Sequence, residues 1–120
     1  MNAPILSLCL AAAAVPAAPA PETALVSFEL REGDRLLGSP TLLVRLGEPA
    51  SVRIAGTNGY SLTVTVERAN ADFLVRSSFY RPDGGGWRLV ASPALQVAPG
   101  QQSRVAFGQA PAYGLSVTVR

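Results

Sequence analysis

Trp87 and Tyr80 flank the run Gly84-Gly85-Gly86, with Arg81 and Arg88 beside them. Large rings next to guanidinium groups suit recognition of a protein or a sugar, because both offer flat, weakly hydrated contact area. Material for catalysis is poor. The chain has no His, and its one Cys, Cys9, lies in an N-terminal apolar run. That removes Ser-His-Asp triads, Cys nucleophiles, haem ligation and zinc sites built on Cys or His. The acids Glu22, Glu29, Glu32, Asp34, Glu48, Glu67, Asp72 and Asp83 are scattered. No spacing among them holds two carboxylates in one cleft. The glycine run is not a phosphate loop, since it joins two strands and has no Lys and no following helix. A non-enzymatic protein without cofactor or metal is expected.

The elements that position these residues are strands. Val26, Phe28 and Leu30 alternate with Ser27, Glu29 and Arg31. Leu62, Val64 and Val66 alternate with Thr63, Thr65 and Glu67. This period of two is the mark of half-buried strands, and no stretch after residue 22 has helical spacing. The spans read as 25–31, 35–45, 50–55 and 60–67, then 72–81, 87–97, 103–107 and 113–119. Turn residues separate them, at Glu32-Gly33-Asp34, Gly47-Glu48-Pro49, Asn58-Gly59, Asp83 to Gly86, Pro99-Gly100-Gln101 and Ala110-Pro111-Ala112. Pro40 and Pro93 cannot donate to a ladder and should mark a bulge, an edge or a break.

The chain also repeats itself. Ser39-Pro40-Thr41-Leu42-Leu43-Val44 returns as Ser92-Pro93-Ala94-Leu95-Gln96-Val97, and Tyr60-Ser61-Leu62-Thr63-Val64-Thr65-Val66 as Tyr113-Gly114-Leu115-Ser116-Val117-Thr118-Val119. Ser27-Phe28 aligns with Ser78-Phe79 if the second copy has two extra residues in its turn. The expected fold is all-β, an eight-stranded antiparallel sandwich or flattened barrel built from two tandem copies of a four-stranded unit. The single domain spans 24–120, with copy one at 25–67 and copy two at 72–120. The spacing leaves open whether each copy forms one sheet or the copies exchange strands.

The repeat sorts residues by purpose. Phe79 matches Phe28 and reads as core. Tyr60 and Tyr113 match and read as corner tyrosines bonding nearby backbone. Trp87 falls on Asp34 and Tyr80 on Glu29, where the sister copy has no ring. The four residues Trp87, Tyr80, Arg81 and Arg88 are therefore the candidate binding patch. The competing use of Trp87 is to cap an open end of the sandwich.

Residues 1–20 form an apolar run, Ile5 to Val15, followed by small residues. They read as a signal peptide cleaved between Ala14 and Ala18, or else as a disordered Ala/Pro-rich tail. The run is too short for a transmembrane helix. All ten basic residues are Arg, and the net charge is +2. The Arg usage and Ala content suggest a GC-rich bacterial gene, and the spread of charge excludes a nucleic-acid stripe. The phrase Ser-Pro-x-Leu-x-Val-x-x-Gly, ending in Tyr-x-Leu-x-Val-Thr-Val, resembles short exported proteobacterial β-proteins. More faintly, it is similar to periplasmic pieces of secretin-type channels. The expected protein is periplasmic or secreted, has no stable membrane span after processing, and works by binding another envelope protein or by self-association. The alternative is a small-ligand or carbohydrate-binding module using Tyr80 and Trp87.

Overall fold

The computed structural model describes residues 22–108 and 112–120. The export segment 1–20, with Cys9, and most of the expected turn at Ala110-Pro111-Ala112 lie outside the described residues. Ten strands follow in chain order: β1 Thr23–Glu32, β2 Arg35–Gly38, β3 Thr41–Arg45, β4 Ala50–Ile54, β5 Tyr60–Ala69, β6 Asp72–Asp83, β7 Gly86–Ala91, β8 Ala94–Val97, β9 Gln102–Phe107 and β10 Tyr113–Val119. No helix occurs among the described residues. None is therefore long and apolar enough to cross a membrane. Ten strands replace the expected eight because each proline splits one. Pro40 separates β2 from β3, both paired to β1, and Pro93 separates β7 from β8, both paired to β6. At each break the proline carbonyl still accepts a backbone bond, from Phe28 at 2.9 Å and from Ser77 at 3.0 Å.

The strands form two antiparallel sheets. The first runs β2-β1-β10-β9, with β3 continuing the β2 edge. The second runs β4-β5-β6-β7, with β8 continuing the β7 edge. Among the described residues the sheets do not close on each other, so the fold is a sandwich and not a flattened barrel. Each sheet takes strands from both halves of the chain. Exchanging β1–β5 for β6–β10 turns the order of one sheet into that of the other. Backbone bonds correspond as well. Gly47 donates to Val66 and Gly100 to Val119, both at 2.8 Å, while Glu48 donates to Arg45 and Gln101 to Ala98, both at 3.1 Å.

This pairing corrects one alignment. Leu30 is opposite Gly38 and Arg31 opposite Leu36, while Phe79 is opposite Ala91 and Tyr80 opposite Leu89. Phe79 thus stands where Leu30 does, and Tyr80 stands where Arg31 does, not Glu29. The β6–β7 hairpin is longer than the β1–β2 hairpin by four residues (six between Arg81 and Arg88 less two between Glu32 and Arg35). A β-bulge interrupts both pairings, between Leu30 and Arg31 and between Phe79 and Tyr80.

The inner faces are apolar, as the alternation demands. Val26, Phe28 and Leu30 on β1, Leu62, Val64 and Val66 on β5, Val75 and Phe79 on β6, and Leu115, Val117 and Val119 on β10 are all buried. Each buried aliphatic side chain contributes roughly 1.5–3 kcal/mol. At one end Phe79 meets Tyr113 and Phe107 edge-on, at 5.3 and 5.9 Å between centroids. Tyr60 packs on Gly38, where an added Cβ would lie 2.8 Å from its ring Cε1. Only glycine leaves that room.

Candidate functional site

The β6–β7 hairpin carries the candidate residues. Its turn is Gly84-Gly85, closed by the pair Asp83 and Gly86, with φ of 58° and 87° at the two central glycines. Both positive values are the requirement of a type I′ hairpin, which side chains resist. The glycines therefore answer to turn geometry.

Alternation then sets the faces. Tyr80 and Pro82 point outward and Arg81 inward. Trp87 is opposite Pro82 and so lies on the same outer face as Tyr80, and both rings are half-buried. Arg53 of β4 reaches over from the other edge, its guanidinium carbon 4.8 Å from the Trp87 ring centroid. A cation over a tryptophan face is attracted by the ring quadrupole, by about 0.5–1 kcal/mol at exposed sites. In register, Ser61 lies between Arg53 and Tyr80. It faces outward yet is only 3% exposed. Arg53 and Tyr80 flank it in the ladder, and the Trp87 ring lies against Arg53. Leu89, the partner of Tyr80, is 51% exposed and extends the patch.

A cleft of about 360 Å³ opens beside Trp87, between the Pro82–Trp87 hairpin and the β4–β5 loop at Ala55–Thr57. That loop is held from within. Gly59 donates to the Gly56 carbonyl at 2.9 Å. A Cβ on Gly59 would lie 2.8 Å from that same oxygen, so the close approach needs glycine.

The four expected site residues do not stay together. Trp87 and Tyr80 share the outer face. Arg88 sits on the exposed hairpin, 3.8 Å from Asp83, an ion pair too solvated to contribute much. Arg81 leaves the patch altogether. It is 8% exposed on the inner side, donates to the Gly59 carbonyl, and lies 3.6 Å from Glu32. Burial of an arginine is tolerable only with such partners. Glu32 also accepts from Arg35. The Tyr113 hydroxyl, outweighing the opposing desolvation, and the Arg35 and Arg81 guanidiniums hold its carboxyl below the ordinary range. Tyr113 is the ladder partner of Glu32 across the β1–β10 pair. Tyr60, buried on Gly38, has its hydroxyl pushed up by desolvation.

Sequence reasoning missed Arg53, although its outward parity and the short β4–β5 hairpin place it next to the Tyr80 row. Among the described residues no three His, Cys, Asp or Glu side chains converge in a way that would hold a metal. Comparison with known proteins gives no match to a family model, a curated sequence or a solved structure.

Proposed function

We propose that the protein is a non-enzymatic, exported β-sandwich that binds another protein of the cell envelope through the Trp87 face of the second sheet. The observation that carries this reading is the Arg53 guanidinium laid on Trp87, beside an open cleft and the exposed Leu89. Rings and arginines of this kind are the residues that anchor protein interfaces. Export and a bacterial envelope location rest on the apolar segment 1–20 and the Arg-only base content. A carbohydrate in the cleft is the second reading, favoured by the Trp87 ring and the Thr57 hydroxyl that line it. We further infer that the sandwich is two copies of one unit that have exchanged strands. The equal strand orders and corresponding backbone bonds support this.

The test replaces Trp87 by Asp, the residue that precedes Arg35 as Trp87 precedes Arg88, and Tyr80 by Arg, as at Arg31. Immobilised wild type should recover a specific partner from a periplasmic extract, and the purified pair should bind in titration. The double variant should lose that binding with little change in melting temperature. Unfolding of the variant would assign the rings to the fold. Unchanged binding would move the contact elsewhere.

A further inference from the structure

The outer face of the first sheet is open at the place where that of the second carries Ser61 and Arg53. Across the second sheet one rung reads Leu89, Tyr80, Ser61, Arg53. The corresponding rung of the first reads Leu36, Arg31, Gly114, Ala106. The next rung is Glu29, Ser116, Arg104. Where the second sheet has the buried Ser61 beside Arg53, the small residues Gly114 and Ala106 of the first leave a floor. A groove of about 200 Å³ lies over it, flanked by Arg31 and Arg104.

Gly114 is the unexplained residue. It is paired on both sides within β10, where glycine weakens a strand. Its φ is not in the left-handed region. A Cβ there would meet nothing nearer than the Arg31 Cβ at 3.9 Å. Gly38 and Gly59 are demanded by packing, and Gly114 is not. A strand glycine also permits close approach by a ligand or another backbone, and the groove lies over this one. The charges indicate which ligand. Arg31 is taken up by Glu29 at 2.7 Å. Arg104 donates only to the neutral Gln102 amide oxygen at 3.2 Å, with no carboxylate in ion-pair range among the described residues. The groove therefore has one uncompensated cation, a carboxylate and a hydroxyl around a flat apolar floor. It falls below the roughly 300–1,000 Å³ that drug-sized ligands occupy, which leaves room for one ring.

We propose that this groove binds a uronic acid unit. Its carboxylate pairs with Arg104, its hydroxyls meet Glu29 and Ser116, and its C–H face rests on Gly114 and Ala106. The site is on the opposite sheet from Trp87, so it stands or falls apart from the proposed protein interface.

Titration of isotope-labelled protein with sodium glucuronate at low ionic strength, followed by amide NMR shifts, tests it. The Gly114, Ala106 and Ser116 amides should shift saturably. Glucose and acetate should bind at least about tenfold more weakly. Arg104→Gln should weaken glucuronate by about tenfold, the loss of one charge-assisted bond. Gly114→Leu fills the groove, and Ala106→Arg copies the residue of the second sheet. Both should abolish the shifts while the protein stays folded. A galacturonate trimer that binds tighter than the monomer assigns a polymer as the source, and equal binding assigns a free sugar acid. Absence of saturable shifts, equal binding of glucose, or shifts retained in the two filled variants overturns the proposal.

Discussion

Arg81 and Glu32 show how one charged pair joins the halves of this chain. They occupy corresponding places at the ends of β6 and β1, opposite Arg88 and Arg35, and they meet across the sandwich. Arg81 also pins the Gly59 carbonyl and so holds the loop that walls the Trp87 cleft. Glu32→Gln leaves that guanidinium without its counter-charge and should cost roughly 1–3 kcal/mol at neutral pH. The folded protein holds the Glu32 carboxyl below its ordinary value of 4.5, so ionised Glu32 stabilises the fold above that value. The contribution disappears as pH falls through the depressed folded value. Urea melts of wild type and variant should therefore differ at neutral pH and converge as the pH falls below 4.5 and through the depressed folded value. A difference that persists undiminished in acid would show that the loss is one of packing.

At the scale of the strand, inward and outward positions should separate cleanly. Val64→Ala or Val117→Ala removes buried methyls from the central strands β5 and β10 and should cost about 1–3 kcal/mol. Thr65→Ala and Thr118→Ala, on the outer faces, should cost much less. Equal effects in urea melts would contradict the faces. Those faces were legible because burial imposes a period of two, and both prolines announced their breaks by lacking a donor. The position of β6 along its neighbours was not legible. Aligning Ser78-Phe79 with Ser27-Phe28 shifts the strand by two residues, which keeps every side chain on its correct face and so leaves no error in the pattern. Only the closing pair of the Gly84-Gly85 turn fixes the register. The β5–β6 turn escaped for a similar reason. Asn70 takes φ of 58° between the pair Ala69 and Asp72, and a single Asn is a weak turn signal. Arg81 carried a readable sign, since its parity with Phe79 puts it inside. Its charge argued the other way, and its partner Glu32, inward by parity with Leu30, lies far off in the chain.

In the whole molecule, neither half owns a sheet. The first supplies β1, β2 and β3 but needs β9 and β10 of the second, and β4 and β5 complete the sheet of β6, β7 and β8. Fragments 22–69 and 72–120 made separately should each lack stable β structure. Mixed, they should regain it, with Glu32 and Arg81 favouring the mixed pair over two like halves. Circular dichroism and NMR of the fragments alone and together would show this, and a half that folds alone as a monomer would contradict it.

The β1–β10 ladder has a mechanical consequence. These neighbours run antiparallel and their outer ends lie side by side, Leu25 and Arg120 exchanging two backbone bonds at 3.0 and 2.9 Å. Tension applied between Glu22 and Arg120 loads those bonds first and the rest one after another, as in a zipper. The corresponding β5–β6 pair is closed by the covalent turn at Asn70-Ala71 and cannot be peeled from that end. The two sheets are alike in strand order but unlike under load. A force transmitted through Glu22 and Arg120 therefore meets the β1–β10 ladder, beside the groove, before it meets the β5–β6 pair.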